Sequence, residues 1–417
     1  MRRIGIGIMV LALLLPLSGC LNKEKYIKVD RDHFPDEVLW EAARKKDLDH
    51  DTKLSSSEIE CATSIVLDGV KDLKGLDVFT GLTTINLRDV ENMKYDFKCL
   101  NNLKTLTIDG TWASNSIDLS GNANLELIKI KCKNLEELIL PENAPLKEFT
   151  CIKSQLTGID LNNYKSLKTI HLENNYLMTE LNLNGLPELT ELNCGANKYL
   201  STINISDCHK LKKLDCSYNS LVDLNISGCE DLEELKCCSN HLSNLDVSAY
   251  KNLKSLDCGS NELTELDVSS CPDLTELNCI NNDLEILDLR SNSKLTAVTC
   301  GDTGITGLDL SFCPDIKTVE CYRCNLSELN IEGCSKLSVL VCYENELSGI
   351  DVTGCPNLYW LLCNGNGIDS LDISNCPKLT DLMQSAEAED WTDGSIAYRD
   401  GDFRMLCFDP GTEIETG

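Results

Sequence analysis

A repeat with a period of 21 residues runs through most of this chain and restricts the folds that it can adopt. Three successive units, beginning at residue 253, read LKSLDCGSNELTELDVSSCPD, LTELNCINNDLEILDLRSNSK and LTAVTCGDTGITGLDLSFCPD. About fifteen units of 21 or 22 residues can be aligned over residues 62–384. A single unit is too short to bury its own apolar side chains, so the array predicts a solenoid in which each unit covers the next.

Every unit opens with a segment close to L-x-x-L-x-C, in which apolar and polar residues alternate as they do in a half-buried strand. Stacked in parallel about 4.8 Å apart, such strands form a continuous core. An asparagine recurs three residues after the cysteine, and its side-chain amide can bond main-chain groups in the turn of a neighbouring unit. The stretch L-D-V-S that follows is predicted to form the return limb. The recurring asparagines include Asn219, Asn240, Asn261, Asn282, Asn345 and Asn366.

The chain has 24 cysteines, and most of them fall into two columns of the repeat. The first column contains Cys194, Cys216, Cys237, Cys258, Cys279, Cys300, Cys321, Cys342 and Cys363. The second contains Cys208, Cys229, Cys271, Cys313, Cys334, Cys355 and Cys376. Stacked strands hold the Cβ atoms of a column about 4.8 Å apart, which exceeds the usual disulfide value of about 3.8 Å. Leucine or isoleucine fills the first column in early units, so we predict free thiols in a dry core.

These repeats resemble the leucine-rich repeat family over residues 62–384. The cysteine in place of the usual leucine and the short unit are most similar to the cysteine-ladder branch of the internalin-like bacterial surface proteins. The resemblance implies an α/β-type repeat solenoid, a horseshoe with a parallel concave β-sheet. It also implies a small helical N-terminal cap and a short β-like C-terminal cap, which we expect over residues 385–417. Proteins of this branch act in cell-surface recognition and adhesion.

The first twenty residues, MRRIGIGIMVLALLLPLSGC, combine a positively charged start with an apolar run over residues 4–17. This run is too short to span a bilayer comfortably as a helix. The ending LSGC, whose last residue is Cys20, resembles the lipobox of bacterial lipoproteins. The resemblance implies a signal peptide over residues 1–19, lipidation of Cys20 and a leash over residues 20–31. We therefore expect a membrane-anchored, extracytoplasmic protein, with an ordinary secretory peptide or a short membrane anchor as the alternatives.

Residues 47–58, DLDHDTKLSSSE, carry three aspartates at alternate positions and a glutamate at the twelfth. The segment resembles the EF-hand calcium loop. The resemblance assigns as ligands Asp47, Asp49, Asp51, the carbonyl of Lys53, Ser55 through water, and Glu58. Position six, where EF-hand loops have glycine, is Thr52, and a β-branched residue at positive φ costs about 1–2 kcal/mol. We expect one weak Ca²⁺ site in a helical cap over residues 32–61. The alternative is a vestigial loop that only caps the first repeat.

Side chains at the third and fifth positions of each unit are expected to point out of the concave sheet. In the middle units these positions are charged, as in Lys213, Asp215, Glu234 and Lys236. Towards the C-terminus they become apolar, and tyrosines occupy the seventh position. The candidate ligand-binding residues are Tyr322, Val339, Val341, Tyr343, Trp360 and Leu362. Exposed apolar and aromatic groups of this kind are typical of binding hot spots. The alternative is that the C-terminal tail packs over them.

The net charge of −29, from 67 acidic and 38 basic residues, argues against nucleic acid as a partner. The five histidines fall in no nucleophile, zinc or acid–base motif, and the sequence has no glycine-rich phosphate loop. We therefore expect no enzyme activity and no organic cofactor. The favoured function is a monomeric recognition or adhesion protein that binds a protein or glycan through its concave face. The alternative is a structural component of the cell envelope with a calcium-stiffened cap and no specific ligand.

Overall fold

The computed structural model describes residues 26–390, 394–400 and 403–417. Its main sheet contains fifteen parallel strands that follow one another in chain order, as in the pairing of Leu235 with Leu256. The strands are Ser64–Asp68, Thr84–Met93, Thr105–Trp112, Leu127–Cys132, Glu148–Ile152, Thr169–His171, Glu191–Asn193, Lys213–Asp215, Glu234–Lys236, Ser255–Asp257, Glu276–Asn278, Ala297–Thr299, Thr318–Glu320, Val339–Val341 and Trp360–Leu362. The predicted parallel solenoid is confirmed.

The return limb forms short parallel strand pairs at four places along the solenoid. These pairs are Ser116–Asp118 with Glu137–Ile139, Glu180–Asn182 with Thr202–Asn204, Gly307–Asp309 with Glu328–Asn330, and Ser370–Asp372 with Glu413–Glu415. Between the limbs lies a single core that extends from the first turn to the last. Because each turn is thin, its core side chains are covered mainly by the two neighbouring turns.

The recurring asparagines form hydrogen bonds between successive turns, as the sequence predicted. Asn240 shows the pattern: its Nδ2 donates to the carbonyls of Cys237 at 3.0 Å and Cys216 at 3.1 Å. Its Oδ1 accepts from the backbone N–H of Leu221 at 3.0 Å. One side chain therefore satisfies main-chain groups of its own turn and of the preceding turn, which would otherwise be buried without partners.

The two cysteine columns lie in the core, where the apolar pattern placed them. Every member of both columns is at most 1% exposed. The same is true of Leu87, Ile108, Ile130 and Leu172, which fill the first column in early turns. All the cysteines that the structure describes carry free thiols. Burial raises the pKa of the column thiols, to about 12 for Cys342, so that they remain protonated.

A small helical cap precedes the first strand. Helix α1, Glu37–Arg44, begins after Asp36, whose carboxylate accepts from the backbone N–H groups of Val38 and Leu39. Helix α2, Ser56–Cys61, begins with a capping box between Ser55 and Glu58. A short antiparallel pair, Ile27–Lys28 with Lys53–Leu54, ties the start of the described chain to the loop between the helices. Two 3₁₀ turns, Leu76–Val78 and Phe97–Cys99, lie in the first repeats.

The C-terminal end is closed by a helix and a strand hairpin. Helix α3, Pro377–Ser385, replaces the strand expected in the unit that opens at Leu379. Proline favours the first turn of a helix, and a strand would have placed Gln384 in the buried cysteine position. Three strands follow, Glu389–Asp390, Ile396–Asp400 and Phe403–Phe408. None of the helices in the described part of the chain is long and apolar enough to cross a bilayer.

The last segment of the tail adds one more turn to the solenoid. Strand Phe403–Phe408 pairs in parallel with Trp360–Leu362, which aligns Leu406 with Leu361. Asp409 then accepts from the backbone N–H groups of Gly365 at 2.7 Å and Asn366 at 2.9 Å. The Asp409 carboxylate therefore acts as the hydrogen-bond acceptor that the next recurring asparagine would otherwise provide. Cys407, which belongs to neither cysteine column, is buried here.

Candidate functional sites on the sheet face and in the acidic loop

Alternation along the strands gives the main sheet one outward face, which we call the sheet face. In the middle turns this face is charged, and several of its charges are paired. Glu234 lies 2.8 Å from the Nζ of Lys236 and 3.3 Å from the Nζ of Lys213. These side chains are partly exposed, and such pairs contribute little to stability. The middle of the sheet face is therefore a solvated polar surface.

At the C-terminal end the sheet face carries the predicted binding residues, which we call the aromatic cluster. Its members are Tyr322, Val339, Val341, Tyr343, Trp360 and Leu362. All are partly exposed except Val341, which is only 8% exposed. The rings of Tyr322 and Tyr343 stack with centroids 4.8 Å apart and planes inclined by 5°. This distance follows from the fold, because equivalent positions of adjacent turns are one strand spacing apart.

The described part of the tail forms one wall of the aromatic cluster without covering it. The ring of Phe403 lies 6.4 Å from that of Trp360, and Phe403 itself remains 64% exposed. Tyr343, Trp360 and Phe403 line a cleft of about 410 Å³, together with Leu362 and several polar side chains. Each of the two alternatives for this region therefore accounts for part of it: the tail packs beside the cluster, and an aromatic surface stays open.

The charged groups beside the cluster are arginines and a glutamate. Arg323 donates from Nε to Glu344 at 2.8 Å, and its guanidinium carbon lies 5.9 Å from the ring centroid of Tyr343. Burial raises the pKa of Tyr322 and of Tyr343, so both phenols are neutral near pH 7. The cluster thus offers aromatic faces and neutral hydroxyl groups, with one paired arginine at its rim.

The acidic loop brings together three of its four carboxylates. Carboxylate oxygens of Asp47, Asp49 and Glu58 lie within 4.8 Å of one another. Asp51 does not belong to this group, and its Oδ1 accepts from the backbone N–H of Lys53 at 2.8 Å. Thr52 has a φ of 68°, the left-handed conformation for which a glycine would be preferred.

Glu58 is held in place by the start of α2. Its Oε2 accepts from the backbone N–H of Ser55 at 2.8 Å and from the Ser55 hydroxyl at 2.7 Å, and its Oε1 accepts from the N–H of Leu48 at 2.6 Å. The hydrogen bonds from Ser55 and from the Leu48 N–H lower the pKa of Glu58, so that this carboxylate stays charged. Ser55 therefore orients Glu58 in this structure. Three charged oxygen donors around one point suit a hard cation such as Ca²⁺.

Comparison with known proteins supports the assignment of the fold. No protein-family model matches the chain, and no curated protein matches it. The functional domain of InlJ from Listeria monocytogenes, which includes a cysteine ladder, is 26% identical with a TM-score of 0.67 over 85% of this chain and 74% of that one. A leucine-rich repeat protein of Leptospira interrogans is 17% identical with a TM-score of 0.55, over 80% of this chain and 86% of that one.

A third similar structure is YopM, a leucine-rich effector of Yersinia pestis, which is 22% identical with a TM-score of 0.52 over 66% of this chain and 76% of that one. The fold is that of leucine-rich repeat proteins. The likeness to the InlJ domain includes the cysteine ladder, which the sequence had predicted from the spacing of its cysteines.

The sequence offered packing of the tail over the aromatic cluster as an alternative, but it did not indicate which residue of the tail would contact Trp360. Phe403 meets Trp360 only because the chain leaves the repeat at α3 and returns one turn later. The one available signal was the pair of residues Leu406 and Phe408, which reproduce the apolar alternation of a repeat strand without its asparagine. Cys20, the predicted lipidation site, lies outside the described residues.

Proposed function

We propose that this protein is a non-catalytic recognition protein of the cell surface, which binds a protein partner through the aromatic cluster of its sheet face. The observation that carries the proposal is the aromatic surface itself. Tyr322, Tyr343 and Trp360 remain partly exposed on a chain that buries most of its other apolar side chains. Proteins rarely leave such groups together in water without a use for them.

The composition of the cluster favours a protein ligand. Tyrosine, tryptophan and arginine are the residues that most often dominate the binding energy of protein interfaces. Here Tyr343, Trp360 and Arg323 lie around one cleft, and polar side chains such as Glu344 and Asn364 also line it. A glycan is the second candidate ligand, because aromatic faces also pack against sugar rings.

The test compares a double variant within the aromatic cluster with a control double variant of exposed tyrosines outside it. The soluble chain, residues 26–417, and its Tyr343→Ser/Trp360→Ala variant are used to capture ligands from protein and glycan extracts of host and bacterial surfaces. The control is Tyr176→Ser/Tyr199→Ser, which removes two tyrosines that are each 53% exposed elsewhere on the solenoid. We expect the first variant to lose the ligand and the control to keep it.

Retention of the ligand by the first variant, or loss by both, would place recognition elsewhere on the molecule. Failure of the unmodified chain to capture any ligand would favour the structural role in the envelope. A ligand destroyed by protease identifies a protein, and one destroyed only by glycosidases identifies a glycan. Thermal unfolding of all three chains ensures that loss of binding does not reflect loss of the fold.

We also propose that the mature protein is lipid-anchored through Cys20. The support is the LSGC ending of the apolar N-terminal run. Mass spectrometry of the membrane-extracted protein is expected to find acyl groups on Cys20, and Cys20→Ser is expected to leave the protein unprocessed or to release it from the lipid anchor. Cleavage at another residue, or an unacylated Cys20 in the membrane-bound protein, contradicts the proposal.

The acidic loop is proposed to bind one Ca²⁺ and to stiffen the N-terminal cap. Support comes from the convergence of Asp47, Asp49 and Glu58. Asp51 would have to give up its bond to the Lys53 N–H to join them, so we expect an affinity of about 10⁻⁴–10⁻³ M, as in extracellular modules. Calorimetric titration of the chain beside Glu58→Gln tests this. If millimolar Ca²⁺ produces no heat and no rise in the melting temperature, the loop is vestigial.

A further inference from the structure

The first strand of the main sheet, Ser64–Asp68, has one edge without a neighbouring strand. It pairs in parallel with Thr84–Met93, and no other strand in the described part of the chain pairs with it. In a parallel pair only alternate residues bond to a given neighbour. The N–H of Thr84 donates to the carbonyl of Thr63, and the N–H of Gly69 donates to the carbonyl of Arg88. It follows that the N–H and C=O groups of Ser64, Val66 and Asp68 point to the open edge.

Helix α1 lies beside this edge and leaves a groove. Val38, Ala42, Ile65 and Val66 form its apolar walls, in a space of about 450 Å³. Val66 is 54% exposed, which is unusual for a valine in the middle of a strand. The groove therefore combines unpaired backbone groups with an apolar wall on each side.

The helix runs antiparallel to the strand, and this orientation makes the two ends of the groove opposite in charge. Asp36, at the start of α1, accepts from the backbone N–H of Lys71 at 2.9 Å, just beyond the end of the strand. Glu37 and Asp68 therefore share one end of the groove, while Lys45 and Lys46 lie at the other end, towards Ser64. Glu37 also pairs with Arg31 in an exposed contact, which leaves Asp68 as the unpaired carboxylate at that end.

We propose that this groove binds an extended segment of a partner protein, which adds a strand to the open edge in antiparallel orientation. In that orientation three residues at alternate positions of the added strand face Asp68, Val66 and Ser64 in turn. Charge complementarity assigns them: a basic residue beside Asp68, an apolar residue beside Val66, and an acidic residue beside Lys45 and Lys46. The recognised pattern is basic–x–apolar–x–acidic, and backbone bonds to the edge supply the rest of the affinity.

The shape of the groove favours a single extended segment over a second copy of this chain. Helix α1 forms its far wall, and a second solenoid placed edge to edge would have to occupy the same space. The site is separate from the aromatic cluster, which lies at the opposite end of the solenoid. Binding in the groove therefore does not depend on the function proposed for the cluster.

The test uses a fluorescent peptide with the core Lys-Thr-Val-Thr-Glu, titrated with the soluble chain and followed by anisotropy. Two control peptides keep the same side chains: the reversed sequence, and the same sequence methylated on the valine nitrogen. We expect both controls to bind at least about tenfold more weakly, or by about 1.4 kcal/mol. The methyl group removes a donor that strand pairing requires without changing a side chain.

A charge exchange on the protein tests the assignment of the basic end. Lys45→Glu/Lys46→Glu is expected to weaken the peptide about tenfold, and a peptide ending in lysine in place of glutamate is expected to bind this variant better. Lys251→Glu, on a distant turn, serves as the control. Absence of binding, or equal binding of the methylated or reversed peptide, overturns the proposal. So does concentration-dependent dimerisation that Val66→Asp abolishes, since it would assign the edge to a second copy.

Discussion

The buried thiols of the cysteine ladder predict that the protein unfolds in moderately alkaline solution. Burial raises the pKa of Cys151 and Cys342 from the ordinary 9.0 to about 12. Burial also raises the pKa of Cys216 and Cys258 well above 9.0. A group whose pKa is higher in the folded protein than in the unfolded chain makes its full contribution to stability at pH values below the unfolded pKa. This contribution is lost as the pH rises from 9 towards the folded pKa, because only the unfolded chain can release the proton.

The size of the effect follows from the number of thiols. At one pH unit above the unfolded pKa, each fully buried thiol lowers the free energy of unfolding by about 1.4 kcal/mol. The cysteine ladder, which is the first column together with Cys151 at the same position of an earlier turn, contains ten such thiols. Together they amount to about 14 kcal/mol at pH 10, comparable to the whole stability of an ordinary domain. They are Cys151, Cys194, Cys216, Cys237, Cys258, Cys279, Cys300, Cys321, Cys342 and Cys363. We therefore expect cooperative unfolding near pH 10.

Urea unfolding at pH 8.5, 9 and 9.5 under anaerobic conditions measures this dependence. The control replaces Cys237, Cys258 and Cys279 by valine, which keeps the apolar bulk and removes three ionisable groups. Between pH 8.5 and 9.5 its free energy of unfolding should fall by about 2 kcal/mol less than that of the unmodified chain. Equal slopes for the two chains would refute the reasoning, because ionisation of buried thiols would then not cause the loss. Disulfides within the ladder would also make the slopes equal.

Three further predictions concern single positions. Cys258→Ser should cost about 1–3 kcal/mol by burying a hydroxyl group in the ladder, and Cys258→Val should cost less, as measured by chemical denaturation. Asn240→Ala should cost about 1–3 kcal/mol in the same assay, because the carbonyls of Cys216 and Cys237 lose their donor, and an effect near zero would contradict the role given to the asparagines. Thr52→Gly should stabilise the cap by about 1 kcal/mol and tighten Ca²⁺ binding, because it removes the strain of a threonine at a φ of 68°. Unchanged Ca²⁺ affinity would contradict this.

The repeats could be predicted because each turn places the same residues in the same environment. Leu256 and Cys258 face the core for the same reason as Leu277 and Cys279 one turn later. Comparison of the repeats within this one sequence therefore gives the information that usually requires many related sequences. The period fixes the parallel register, the buried columns and the asparagine bonds.

The features that occur once were harder to predict. The tail turn at Phe403–Phe408 has no asparagine and follows a helix, so no period indicates its register. The contact between Phe403 and Trp360 depends on that return of the chain. In the acidic loop, spacing indicated four converging carboxylates, but Asp51 bonds to the nearby Lys53 N–H instead. Short-range hydrogen bonds of this kind compete with any pattern of spacing.

Hydroxyl-radical footprinting of the complex tests most directly whether the aromatic cluster is the recognition surface. Tyrosine and tryptophan side chains report their own exposure, and the chain carries them both inside the cluster and far from it. With the ligand captured by the unmodified chain, we predict strong protection of Tyr322, Tyr343 and Trp360 and unchanged labelling of Tyr176 and Tyr199. Unchanged labelling of Tyr343 and Trp360 in a saturated complex would contradict the proposal that this surface binds the partner.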